Sequence, residues 1–350
     1  MGDGYVRYPL DGLYDDVAGQ AVVMPSADLA MEVQEDDKTL ELDFRVHSTW
    51  AEPVDGMTYC RRPGIYLSTV LPELLDRGRP AVLLNGNNTG WWGNQFVIRA
   101  GQLVYKRRGP VFADEMLCEL INGRHAFFVR TSAGFGITRL TLSATPGSEA
   151  PDEIVVQAEE PLPEFGVSGF PLLRGRKSVW ESSIKHAWDP RLLFDVRTHP
   201  HDRQWEIRKR IRALLKTGPT LVHHAMTVVG IDVWDQVVLL VVEQSDRSVG
   251  MTVAEAADLL KERFLVRDAI VLGAAGDAQL ATTDEGFLVA PLIAPRVEEV
   301  AQEIPGELIA VNLGGKPPRA RPVPCFIVLR PPVGRFAPRY WFPPVTPRPA

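Results

Sequence analysis

The chain lacks most of the features that would fix its class at once. It has 3 cysteines in 350 residues, Cys60, Cys118 and Cys325. They are far apart, odd in number and not at metal-ligand spacing, which argues against a disulfide scaffold and reads as reduced thiols. The 7 histidines cluster only at His199-Pro200-His201 and His223-His224. Adjacent histidines on a strand point to opposite faces, so His223 and His224 cannot share one metal, and no metal is expected. No apolar run approaches the roughly 18 residues that span a bilayer. The leading MGDGYVRYPLDGLYDD has no apolar core of the kind a signal peptide needs. Positive charge is not in excess: the formal net charge is −6, and only Arg203–Lys216 is rich in basic residues. Neither nucleic acid nor an anionic membrane is therefore expected as the main partner. There is no P-loop and no Ser-His-Asp pattern. These absences lead to the expectation of a cytoplasmic protein that needs no cofactor, with the oligomeric state left open.

What is present centres on Asp268–Leu280. A helical run leads in, Ala269–Leu272 form a short apolar strand, and the chain then turns through Gly273, Ala274, Ala275 and Gly276 to Asp277. So little side-chain bulk lets backbone N–H groups approach a ligand closely. The Gly-x-Gly-x-x-Gly spacing of a dinucleotide site is absent. A second such place is Ala81–Leu84, a buried strand running into Asn85-Gly86-Asn87-Asn88-Thr89-Gly90, with Trp91, Trp92 and Phe96 crowding beside it.

Along the chain, residues 1–34 read as an irregular arm. Leu40–Val46 alternates strictly as a half-buried strand, and Ile65–Leu75 reads as strand into short helix. Gln95–Arg99 and Leu103–Lys106 flank an Ala-Gly turn as a hairpin, and His125–Thr131 and Ile137–Leu142 are strands. Residues 145–164 form an exposed excursion. Asp202–Leu215 has a helical apolar face. Met226–Val229 and Val237–Val242 are strands. Thr252 with Glu255 has capping-box spacing for a helix reaching about Arg263. Phe287–Pro291 and Pro324–Leu329 are late strands, and residues 333–350 form a Pro-rich extended tail. The expected class is α+β: one strand-rich domain over residues 35–332, with helices packed on its sheets.

In this order the pieces resemble the phosphodiester glycosidase family. Leu83-Leu84-Asn85-Gly86-Asn87 stands where the family has a strand into Asn-Gly-Gly-Phe, and Gln95–Tyr105 is similar to its hairpin. Gly218-Pro219-Thr220-Leu221-Val222 precedes Met226–Ile231 as Gly-Pro-x-Leu-Val precedes Arg-Thr-Ala-Ile-Gly-Ile. Gly250-Met251-Thr252 matches the family's helix start. Asp268–Asp277 matches Asp-Ala-Ile-Asn-Leu-Asp-Gly-Gly-Gly-Ser, and Arg321–Cys325 is similar to Arg-Pro-Val-x-Asn. The resemblance implies that fold over about residues 35–330. The departures fall on the chemistry: the family's Arg is Met226, the Asp of its glycine turn is Gly273, its Ser is Asp277 and its late Asn is Cys325. Arginine grips a phosphodiester by donating two parallel bonds. Met226 cannot, and Asp277 would repel the phosphate.

The expected function is therefore a cofactor-independent enzyme of specialised metabolism, cyclase or isomerase in type, acting on a largely apolar small molecule. Asn85, Asp277 and His224 are the candidate catalytic groups. Trp91, Trp92, Met226, Gly273, Ala274, Ala275, Gly276 and Cys325 are the candidate lining. Each has a plainer reading: Asn85 and Asp277 as turn residues, Met226 and Cys325 as core, His224 as an ordinary strand residue. Two other functions remain open: a hydrolase using Asp277 with Asp284 or Glu285 as acid and base, and a non-catalytic small-molecule-binding protein.

Overall fold

The computed structural model describes residues 4–11, 17–35, 80–86, 95–106, 123–145, 153–157, 162–179, 225–243, 248, 250–274, 278–289 and 325–339. The expectations for Leu40–Val46, Ile65–Leu75, Asp202–Leu215 and the Pro-rich end after residue 339 lie outside them.

The described residues form two sheets. The strands are β1 (Val6–Pro9), β2 (Gly19–Met24), β3 (Ala30–Glu35), β4 (Val82–Asn85), β5 (Gln95–Arg99), β6 (Gln102–Lys106), β7 (Gly123–Thr131), β8 (Gly134–Thr145) and β9 (Glu153–Gln157). They continue with β10 (Phe165–Arg174), β11 (Lys177–Ser178), β12 (Met226–Asp232), β13 (Val237–Val242), β14 (Val266–Ala274), β15 (Leu280–Thr282), β16 (Gly286–Val289) and β17 (Cys325–Arg330). The larger sheet runs β1-β2-β13-β12-β14-β10-β7-β8-β9, with β11 and the β5–β6 hairpin attached through β10; the smaller runs β16-β15-β4-β17-β3. Every pairing among the described residues is antiparallel.

This corrects the expected class. Among the described residues there is one helix, α1 (Val253–Glu262), so the fold is a strand-rich antiparallel architecture and not an α+β domain with helices covering its sheets. The physical reason lies in β13, whose six residues are all buried. Val237, Leu239 and Val241 pack with Val82, Leu84, Ile327 and Leu329 of the small sheet. Val238, Leu240 and Val242 pack with Ala256, Ala257, Leu259 and Leu260 of α1. One face of the large sheet is thus covered by a second sheet, in sandwich fashion. Burial of each such side chain contributes about 1.5–3 kcal/mol.

Residues 1–34 are also corrected. They contribute β1, β2 and β3, and β2 sits inside the large sheet between β1 and β13. GQAVVM shows no alternation because β2 is buried nearly throughout, so it lacks the period that marks a half-exposed strand. The excursion at 145–164 carries β9, which pairs with β8.

Local signals explain the rest. Thr252 Oγ1 accepts from Glu255 N (3.1 Å) while the Glu255 carboxylate accepts from Thr252 N (2.8 Å), the reciprocal capping box that starts α1. Ala100 (φ 49°) and Gly101 (φ 74°) are both left-handed, as a two-residue hairpin turn between β5 and β6 requires. Pro171 lies inside β10, where it cannot donate to the ladder, and the register with β14 shifts between Pro171 and Leu173. At Gly169 a Cβ would stand 2.6 Å from the Val271 carbonyl oxygen, so only glycine lets β10 approach β14 there.

Candidate functional site

Strand direction gathers the sites read from the sequence at one end of the sandwich. β4 ends on Asn85, and β17 begins there, with Phe326 opposite Asn85. β15 begins at the same end, with Leu280 opposite Leu84. In the large sheet β12 begins where β14 ends, pairing Met226 with Ala274 and Thr227 with Gly273.

The two sheets are tied at this end by a buried polar knot. Thr227 Oγ1 donates to Asn85 Oδ1 at 2.6 Å across the sandwich. The backbone N–H of Gln279, just before β15, donates to the same oxygen at 3.0 Å. Asn85 Nδ2 donates to the Gly86 carbonyl at 3.0 Å. Asn85, Thr227 and Gln279 are all fully buried. The small sheet thus supplies an amide whose acceptor takes one donor from each side of the interface.

The β12–β13 hairpin fixes the register that puts Thr227 on this face. Asp232 is buried and accepts from Trp234 N (2.8 Å) and Gln236 N (2.7 Å), holding the turn that pairs Ile231 with Val237. A slip of one residue would send Thr227 to the α1 side and bring Met226 to the Asn85 side.

Met226 therefore does not join Asn85. Its side chain is buried with Val228, Val238 and Met251 on the α1 side of the large sheet, and alternation places Thr227 on the opposite face. The expected apolar wall at Met226 is helix-side core. Gly273 is buried directly opposite Thr227, and Ala274 ends β14 beside it. Cys325 opens β17 at the same end. Asp277, His224, Trp91, Trp92, Ala275 and Gly276 lie outside the described residues. Ala278, which follows Asp277, is buried in the inter-sheet core, as is Ala225, which follows His224.

Thr227 and Gln279 escaped the sequence reading. The available signal was polarity out of place: Thr227 is the one hydrogen-bonding side chain in Met226–Ile231, and a buried polar group needs a partner.

Asp284 and Glu285 lie at the other end of β4, in the turn between β15 and β16, where Thr283 N donates to the Ala81 carbonyl at 3.0 Å. Tyr5 Oη donates to both Asp284 oxygens, at 2.9 and 3.1 Å. Arg7 forms a two-pronged ion pair with Glu285. Burial pushes the Asp284 carboxyl up, but hydrogen bonds from Thr282, Tyr5 and its own backbone, together with the Arg7 charge, outweigh burial and hold it below its ordinary value. A carboxyl held ionised in this way is a poor general acid.

The knot itself consists of two amides and a hydroxyl, none of which titrates near neutral pH. It can orient backbone and donate hydrogen bonds but cannot shuttle protons. Among the described residues no group of three or more His, Cys, Asp or Glu gathers as a metal would require.

No family model matches the chain and no curated protein matches it. Several solved structures are distantly similar to the chain. One is the catalytic domain of zebrafish N-acetylglucosamine-1-phosphodiester alpha-N-acetylglucosaminidase, auto-inhibited by its pro-peptide, at 16% identity and TM-score 0.45, with 90% of this chain and 76% of that chain covered. A hypothetical protein from Synechocystis gives 10% identity and TM-score 0.39, with 90% and 59% covered. A protein from Burkholderia pseudomallei K96243 gives 9% identity and TM-score 0.44, with 90% and 74% covered. At these values no residue role passes from those proteins to this chain.

Proposed function

We propose that the end of the sandwich marked by Asn85, Thr227 and Gln279 binds an uncharged, largely apolar small molecule and rearranges it without a cofactor, as a cyclase or isomerase does. The observation that carries this reading is the knot. A buried, neutral, hydrogen-bonded cluster ties two sheets at the place where the chain leaves β4 and β14 and enters β12, β15 and β17. Such a cluster makes a rigid base for the segments that follow it, and rigidity in the reactive geometry is the main lever for a rearrangement. Polarisation of a carbonyl would come from hydrogen-bond donors, with His224 as the side chain to test for that role and Asp277 to test as a general acid or base.

In this reading Asn85 positions the segment beginning at Gly86 and the backbone at Gln279, because its oxygen is already engaged twice. The hydrolase alternative gains nothing from Asp284 and Glu285, which are held by Tyr5 and Arg7 at the far end of β4. The test is capture of small molecules from a cell extract by the full chain, followed by a search for chemical change in what is retained. Conversion of a neutral compound to an isomer of the same mass, lost in Asp277→Ala, is the expected result. Retention without change makes the protein a binder, and hydrolysis of a sugar phosphodiester would overturn the proposal.

A further inference from the structure

Away from the knot, three arginines on three adjacent strands stand together without an acidic partner among the described residues. Arg124 lies on β7, Arg139 on β8 and Arg174 at the end of β10. Ala126 is opposite Arg139 and Arg124 is opposite Thr141, so Arg124 and Arg139 are diagonal neighbours on one face. That spacing is within reach of two long side chains. β7 also pairs with β10, which carries Arg174. All three side chains are exposed. Nearby Arg267, in contrast, has two carboxylates, Asp268 at 2.8 Å and Asp235 at 3.2 Å.

Like charges held together are unfavourable unless something of opposite sign joins them. Partial desolvation first, and then repulsion from Arg174 and Arg124, pushes the largely exposed Arg139 guanidinium below its ordinary value. In a chain of net charge −6, this is a local concentration of positive charge and not part of a basic surface. Guanidinium groups suit a tetrahedral oxyanion, since each can donate two parallel bonds.

We infer that Arg124, Arg139 and Arg174 form a binding site for a phosphate dianion, free or as the head of a monoester. It is separate from the knot. The turn after Arg174 is bonded to the start of β14 through Arg176 N and the Arg267 carbonyl at 2.7 Å, whereas Thr227 pairs with Gly273 near the end of β14. Six residues of strand put these points about 20 Å apart. A compact dianion suits a small cluster of guanidinium groups better than a polyanion does, which would need a longer basic track.

The full chain would be titrated with inorganic phosphate, and separately with phenyl phosphate, against sodium chloride at matched ionic strength, following the thermal midpoint. Phosphate is expected to raise the midpoint with a saturable dependence that chloride lacks. Arg139→Gln and Arg124→Gln should each weaken the apparent affinity about tenfold, while Arg267→Gln should leave it unchanged. Without phosphate, Arg139→Gln should be at least as stable as the parent, because the substitution removes repulsion. An equal response to chloride, or wild-type phosphate affinity in both variants, overturns the site. A preference for phenyl phosphate identifies the monoester, and equal binding identifies the free ion.

Discussion

Replacing Asn85 by alanine removes the acceptor shared by Thr227 and Gln279 and the donor to Gly86. Three groups then lose their partner where no bulk solvent reaches, since Asn85, Thr227 and Gln279 are each fully buried. A stranded buried polar group costs about 1–3 kcal/mol. The Thr227 hydroxyl can rotate toward another acceptor and the vacated volume can admit a water, so the lower part of that range applies. The expected loss is about 3 kcal/mol, a large share of the roughly 5–15 kcal/mol that holds a typical folded protein together. Thr227→Val keeps the side-chain shape and removes only the hydroxyl, and should cost about 1 kcal/mol. Urea unfolding of the parent, both single variants and the double variant closes a thermodynamic cycle. A coupling of about 1 kcal/mol between positions 85 and 227 is expected, as for residues in one hydrogen-bond network. A loss at Asn85→Ala below about 0.5 kcal/mol, the size of an ordinary surface substitution, would refute the claim that this amide ties the sheets.

The other expectations concern the scaffold. Thr252→Ala removes the cap of α1 and should lower stability by about 1 kcal/mol in the same urea assay. Gly230→Ala would place a Cβ 2.7 Å from Val266 Cγ1 and 3.1 Å from the Asp268 carbonyl, a clash expected to cost about 1–3 kcal/mol; Gly136→Ala, where a Cβ meets nothing within 4 Å, should change stability little. Asp284 is held below its ordinary value of 3.8, so the unfolded chain binds more protons than the folded one in acid. Its stabilising contribution is present above that value and is lost as pH falls through the lower folded value. The stability curves of the parent and Asp284→Asn should therefore differ near neutral pH and draw together in acid. Parallel curves down to the acid limit would contradict this.

Much of the strand framework was legible because its signals are local. The Ala100-Gly101 turn, the Thr252–Glu255 box and the apolar runs of β12 and β13 each announce themselves within a few residues. The class was misread because a capped helix shows that a helix exists, not what covers a sheet. Here the small sheet does much of that covering, and its strands come from residues 30–35, 82–85, 280–289 and 325–330. β2 was missed for a related reason: buried strands lose the alternation that reveals half-exposed ones. In the site, Asn85 was visible as a polar residue closing an apolar strand. Its bond to Thr227 spans 142 positions, so no local pattern contains it. The choice between lining and core at Met226 is open to a simple argument. Strand parity alone sets Met226 and Thr227 on opposite faces, and register then decides which of them meets Asn85.

The central claim is that the Asn85 end of the sandwich receives an uncharged small molecule. The most direct measurement is mass-spectrometric capture from a cell extract by the parent chain, Asp277→Ala and Arg139→Gln in parallel. The expected result is a neutral, largely apolar compound retained by the parent and by Arg139→Gln but released or left unconverted by Asp277→Ala. A phosphorylated or otherwise charged compound whose retention depends on Asp277 and not on Arg139 would contradict it.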